Sequence, residues 1–247
     1  MTHQHHLWSS AVYPAFAYAI AFVGAALGLA CASRLHAVGL RKGKTWLAAG
    51  ALSLGSGIWG MHFVGMLGYT IDGVTLNYDV GLTVLSWVVA VLVVGVGMLV
   101  AGRGRSWPSL LAGGVLAGLG VGAMHYIGMG AVRMSGAMEY NASVVVLSLV
   151  IAVVAATAAL WATLRVKGVL PIVGAALVMG LAVTGMHYTG MLAVTPEVIG
   201  NGASDSGVPA LSFVVPLVTG LSLVVLVVTF AVLMNPLEET IRRAADA

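Results

Sequence analysis

Met61-His62-Phe63-Val64-Gly65-Met66 returns as Met124-His125-Tyr126-Ile127-Gly128-Met129 and again as Met186-His187-Tyr188-Thr189-Gly190-Met191. The copies start 63 and then 62 residues apart. Each interval holds two apolar runs of bilayer-crossing length, so the recurrence reads as a repeated two-helix unit. Every unit sets one His and two Met at an equivalent point. The repeat extends beyond the hexapeptide. Asn77-Tyr78-Asp79 resembles Glu139-Tyr140-Asn141, and Val84-Leu85-Ser86-Trp87 matches Val146-Leu147-Ser148-Leu149, with Leu211-Ser212-Phe213 echoing both.

The composition places this unit in lipid. Of 247 residues 60% are hydrophobic and 8% charged, too little polar surface to cover a soluble core. The 33 Gly suit close helix packing, where small residues let backbones approach. A single cysteine, Cys31, excludes an intrachain disulfide and a multi-cysteine metal site, and reads as a small buried hydrophobe. The net charge of +3 does not point to nucleic acid, because the basic residues fall in short connections. The first ten residues lack the basic region of a signal peptide.

Seven apolar runs, at about 11–33, 46–70, 80–101, 109–132, 142–164, 169–193 and 210–234, can each cross ~30 Å of hydrocarbon. The expected fold is an all-α polytopic membrane protein: three parallel two-helix repeats around a pseudo-threefold axis, plus one extra helix. Residues 1–10 form an outer segment, 11–236 the membrane domain and 237–247 an inner tail. Ten of the eleven Lys and Arg lie on one side, with Arg133 alone on the other. The positive-inside rule therefore puts the N-terminus outside and the C-terminus in the cytoplasm. Trp46, Trp107, Tyr69, Tyr78 and Tyr140 read as interfacial anchors. The stretch 195–209 reads as a polar, mobile connector, and no output domain is expected after Asn235-Pro236.

On the motif helices His62, His125 and His187 fall sixteen, seventeen and sixteen residues past Trp46, Pro108 and Pro171. At 1.5 Å per residue all three reach ~24–26 Å above the inner face. Residues four apart share a helix face, so each His lies beneath Met66, Met129 or Met191. Four residues before each His come Ile58, Val121 and Val183, then Gly55, Gly118 and Gly180, then Ala51, Gly114 and Ala176. If these stripes face one axis, small residues let the helices converge in the inner half, an apolar floor follows, and three imidazoles meet above it beneath three thioethers. Imidazole with thioether argues for copper over zinc, and haem held by two His is a weaker option. Met61, Met124 and Met186 point about 100° away and read mainly as packing. The hydroxyls of Tyr126 and Tyr188 are candidate partners of the His rings. The bland alternative is a set of hydrogen-bonded intramembrane His with Met as core filler. Outside the spans, His3, His5 and His6 form a short His-rich tract whose role is open, His36 reads as solvated, and Asp72, Glu197 and Asp205 are weak ligand candidates.

The Met-His-Tyr hexapeptide, three times over in a seven-span chain, resembles the bacterial MHYT sensor domain; the first copy departs from it with Phe63. The resemblance implies an inner-membrane module that binds copper through Met61, His62, Met124, His125, Met186 and His187 and perceives oxygen, carbon monoxide or nitric oxide. It also implies a cytoplasmic signalling partner or output domain. Two other functions stay open: a copper transporter or chaperone, and a zinc-dependent membrane hydrolase needing a carboxylate base. The sensor reading expects no enzymatic activity of the domain itself.

Overall fold

The computed structural model describes residues 6–8, 11–71, 73–104, 106–198, 206–237 and 239. Seven helices carry these residues: α1 (Val12–Lys42), α2 (Lys44–Leu67), α3 (Val80–Gly104), α4 (Trp107–Gly130), α5 (Ala142–Arg165), α6 (Val169–Leu192) and α7 (Ala210–Met234). Helices α1 to α6 are long and apolar enough to cross a bilayer, and α7 is apolar over Thr219–Met234. The chain is a multi-pass membrane protein. In lipid no water satisfies a free backbone, so each crossing segment must close its own hydrogen bonds as a helix.

Six helices form a closed ring. Helix α1 packs on α2, α2 on α3, and so round to α6, which packs back on α1; α7 lies outside, against α2 and α1. Short strands tie the chain at one end of the bundle. The strand before each odd helix pairs antiparallel with the strand after the next even helix: β1 (His6–Trp8) with β2 (Tyr69–Ile71), β3 (Asn77–Tyr78) with β4 (Val132–Arg133), and β5 (Gly136–Tyr140) with β6 (Val194–Val198). A seventh strand, β7 (Val208–Pro209), adds to β3. Each two-helix unit is thus closed on itself by its own ladder.

The repeated tripeptides are helix starts. The Asp79 carboxylate accepts from the Leu82 amide at 2.9 Å, and the Asn141 side chain accepts from the amides of Ser143 and Val144. Both satisfy donors that an N-terminal turn leaves free. The second repeated element, Val-Leu-Ser, supplies hydroxyls inside the bundle. Ser86 accepts from the Trp59 indole at 3.0 Å, and Ser148 bonds the Tyr126 hydroxyl at 2.7 Å.

Several expectations are corrected. Residues 195–209 are not simply a connector: the stretch through Val198 is in β6, which pairs with β5, and Val208–Pro209 forms β7, which adds to β3 ahead of α7. Helix α1 runs past the expected limit of 33 to a kink at Gly39 (φ 76°), beyond which a last short stretch reaches Lys42, since Arg34 is buried against protein rather than solvated in a loop. His36 is likewise a half-buried residue of α1. Tyr69 and Tyr78 are buried residues of β2 and β3, not interfacial anchors. The small residues do not face one axis. A side chain at Gly55 would meet the Val91 backbone of α3, at Gly118 the Val153 backbone of α5, and at Gly180 the Phe22 backbone of α1. These glycines join each even helix to a neighbouring odd helix. The half of the bundle away from the strands carries larger side chains in its core instead, including Leu54, Val94, Leu160 and Met179.

Arg133, the base expected to stand apart from the other ten, pairs with Asp79 at 2.8 Å. The Leu82 amide first, and the Arg133 guanidinium second, hold the Asp79 carboxyl below the usual carboxylate range. With the folded-state value depressed, its contribution is complete above the ordinary carboxylate range and is lost as pH falls through the lowered value. Thermal unfolding in detergent followed against pH will show an acid limb that Asp79→Asn flattens; an unchanged limb in that variant assigns the acid sensitivity elsewhere.

Candidate metal centre

Each even helix is 24 residues long, and His62, His125 and His187 each stand five residues before its last residue. Equal helices therefore deliver the three rings to one level, about 7.5 Å below the helix ends. All three side chains are completely buried. They meet: His62 Nδ1 lies 3.1 Å from His187 Nδ1 and 3.1 Å from His125 Nδ1, and the third edge is 3.3 Å. The rings stand nearly perpendicular to one another, centroids 4.8 to 5.2 Å apart.

Hydrogen bonding alone cannot satisfy this triangle. A neutral imidazole has one donor nitrogen and one acceptor nitrogen, so a given Nδ1 either carries a proton or offers a lone pair. A closed ring of three contacts needs every Nδ1 to do both. The opposite nitrogens offer no relief, because all three Nε2 atoms are buried without a hydrogen-bond partner among the described residues. A buried unsatisfied polar atom costs roughly 2–7 kcal/mol against an apolar surrounding. The centre of such a triangle lies about 1.8 Å from each corner, just inside the ~2.0–2.1 Å typical of imidazole–metal bonds. The three Nδ1 atoms thus fit one shared cation, and the donor set fits a metal that imidazole serves.

The outer edge of each ring explains the motif glycine. The Nε2 edge of His187 lies over Gly65, that of His62 over Gly128, and that of His125 over Gly190. A methyl group at any of the three would overlap the neighbouring ring. The hexapeptide is therefore two halves of a cyclic contact, a His reaching one way and a cradle receiving from the other. This role of Gly65, Gly128 and Gly190 escaped the sequence reading. The signal was present, since Gly is unchanged three residues after each His while the positions between vary.

The triad lies between two apolar cores. Met66, Met129 and Met191, all buried, share the outer one with Phe63, Tyr69 and Tyr78. Ile58 and Val121 belong to the inner one, with Val183 packed against it. The first-position methionines form no single layer: Met61 joins the outer core, and Met124 and Met186 the inner. Beneath the triad, Ile58, Val121, Val183 and Met186 line a cavity of about 50 Å³ whose walls carry no polar side chain. Such a space stays dry, because a water there would find none of the two to four partners it needs.

The aromatic after each His packs edge-on against it, Phe63 at 4.8 Å, Tyr126 at 4.8 Å and Tyr188 at 4.9 Å between centroids. The Tyr126 hydroxyl turns away to Ser148, so it is not the ring's hydrogen-bond partner; Phe63 needs no such contact. Glu197 is exposed in β6, and Asp79 is engaged with Leu82 and Arg133, so neither stands with the triad. Asp72, Asp205, His3 and His5 lie outside the described residues, as does the side chain of His6.

Gly190→Ala tests the cradle against a matched control. Overpacking should cost roughly 1–3 kcal/mol and displace the His125 ring. Gly185→Ala, where an added methyl meets nothing within 4 Å, should leave stability unchanged or slightly raised. Equal melting temperatures for the two variants would remove the glycine from the site.

Comparison with known proteins fits this architecture. The profile of the MHYT family, described as a bacterial signalling protein N-terminal repeat, matches residues 55–114 and 118–176. These matches contain the first two hexapeptides, and the third lies beyond them. A bifunctional diguanylate cyclase/cyclic di-GMP phosphodiesterase, MucR of Pseudomonas aeruginosa, is 42% identical over 74% of this chain and 27% of its own length. The cyclic di-GMP phosphodiesterase NbdA of the same organism is 37% identical over 73% of this chain and 24% of its own. The signaling protein YkoW of Bacillus subtilis is 34% identical over 62% and 20%. The chain thus spans about a quarter or less of the length of these relatives. No solved structure matches it. With the profile matching twice, at the period of its own hexapeptides, the chain belongs to the MHYT family of bacterial signalling-protein repeats.

Proposed function

We propose that the chain is a membrane-embedded sensor that holds copper and passes a change at the His triad to the cytoplasm. The observation that carries this reading is the triangle of buried Nδ1 atoms 3.1 to 3.3 Å apart. His62, His125 and His187 would hold the ion. Met66, Met129 and Met191 are the further donors, gathered in the outer core one turn from the His, while Met61, Met124 and Met186 pack the helices. Thioether beside imidazole favours copper over zinc or haem. Bound copper supplies one-electron chemistry and an affinity for small diatomic molecules such as oxygen, carbon monoxide and nitric oxide. The protein's own residues fix the imidazoles, exclude water and keep the layer beneath apolar. The dry cavity at the Ile58, Val121 and Val183 floor gives a nonpolar diatomic a resting place one helical turn from the rings.

The same reading sets the frame. The three hairpins surround a pseudo-threefold axis, a relation supported by the cyclic order in which His187, His62 and His125 face Gly65, Gly128 and Gly190. The basic connections face the cytoplasm, so the N-terminal segment 1–10 and the triad lie toward the periplasm of the bacterial inner membrane. The domain 11–236 is the sensing unit and 237–247 leads to the signalling partner. The names of MucR and NbdA make cyclic di-GMP turnover the output class that such a partner would control. Transport is disfavoured because the route inward from the triad is apolar. A zinc hydrolase lacks its base, since the ligand-bearing cluster among the described residues holds three His and no carboxylate.

Elemental analysis of the purified protein decides the matter. One copper per chain is expected in the wild type and none in the His62→Ala, His125→Ala, His187→Ala triple variant, with helical content retained. Full metal retention by the triple variant would sink the reading, and stoichiometric zinc in the wild type would move it to the hydrolase.

A further inference from the structure

Arg34 carries a role that neither the motif nor the family match assigns. In the chain it stands at the head of the basic stretch between the first two apolar runs. In the fold it is part of α1 and only 9% exposed. The ion pair of Arg133 with Asp79 does not involve it. Its guanidinium instead donates to three carbonyls: Nε to Asn235 at 2.9 Å, Nη2 to Val232 at 2.8 Å and Nη1 to Ala30 at 3.0 Å. It also lies over the Trp46 ring, 5.3 Å from the centroid.

Two of those acceptors sit at the C-terminal end of α7. The last four carbonyls of a helix have no partner within it, and the helix dipole makes that end negative. A rigid guanidinium fork can engage two such carbonyls three residues apart, which a lysine ammonium on a flexible stem cannot match. The Asn235 side chain donates to the Ala231 carbonyl at 2.9 Å, satisfying a third. Pro236, which has no backbone N–H to donate, then separates α7 from the helical residues Leu237 and Glu239. The end of α7 is thus held from α1 by Arg34, and Arg34 is backed from α2 by Trp46. Helix α2 is also the element that carries His62 and Met66.

We propose that Arg34 is the joint that registers the end of α7 against the α1–α2 hairpin, and that through it a displacement of α2 at the metal centre reaches the chain beyond Asn235. The second half rests on the sensor reading; the first does not. Arg34 acts on signalling through α7, so it is a positioning residue.

Spin labels at Thr45 and Met234, both exposed, in a Cys31→Ala background report the separation of the α2 start from the α7 end. The full chain should give a narrow distance distribution that shifts when Cu(I) is added. Arg34→Ala should broaden it and abolish the shift while copper content stays at the wild-type level. Arg34→Lys should fall between, because one ammonium keeps charge without spanning both carbonyls. A distribution as narrow in Arg34→Ala as in the wild type overturns the joint. Should Arg34→Ala fail to fold, Arg34→Lys decides by the same criterion. If the wild type binds no copper, the sensor reading fails alone, and the metal-free distributions still test the joint. If copper binds but moves no distance, transmission is overturned and the joint stands on the broadening.

Discussion

Everything in this bundle answers to one constraint: three imidazole rings close on each other where all of them are completely buried. Their Nδ1 atoms are 3.1 to 3.3 Å apart, which fixes the level, the direction and the separation of α2, α4 and α6 together. An error of one residue in any helix would rotate its ring by about 100° and lift it by about 1.5 Å. The equal lengths of the three even helices and the ladders that tie each hairpin's ends are the means by which that register is kept. The glycine cradles follow from the same constraint. Rings this close to an axis must press their far edges on the next helix, and only a residue without Cβ leaves the room.

Hydropathy and interval made the helices legible. Runs of about twenty apolar residues can only be spans, and a His-bearing hexapeptide at a steady interval can only be a repeat in a chain of such spans. The triad was legible too, because equal counts along α2, α4 and α6 give equal depth. What escaped the reading was whatever depends on contacts between helices. The direction faced by Gly55, Gly118 and Gly180 follows from helix tilt, and an apolar sequence polar on no face holds no information about it. The outer strands, two to five residues long, are shorter than any period that could announce them. Tyr78 looked like an interfacial anchor because the strand burying it could not be foreseen.

Arg34 shows how charge misleads in the same way. A base at the end of an apolar run is usually the first residue in water, and the expected end of the first span at 33 rests on that rule. In the fold the carbonyls of α7, distant by about two hundred positions in the chain, stand in for water, so α1 continues through it. The exception marks a place where the helix outside the ring is held to the ring by a charged group.

The placement of the triad also bears on how such a centre can influence anything distant. Above and below it the cores are apolar and close-packed, and packed interiors shift as units rather than deform continuously. A change in the demand of the Nδ1 atoms for one another therefore cannot be absorbed by a single rotamer: each ring is bounded by its own aromatic neighbour and by a glycine of the next helix. The displacement has to be taken up by helices, and of the three, α2 alone also makes a substantial contact with α7. The pseudo-equivalent rings are thus unequal in consequence. His62 is the one whose helix packs on α7, so on the sensor reading proposed above the seventh helix is what would give the centre a direction in which to act.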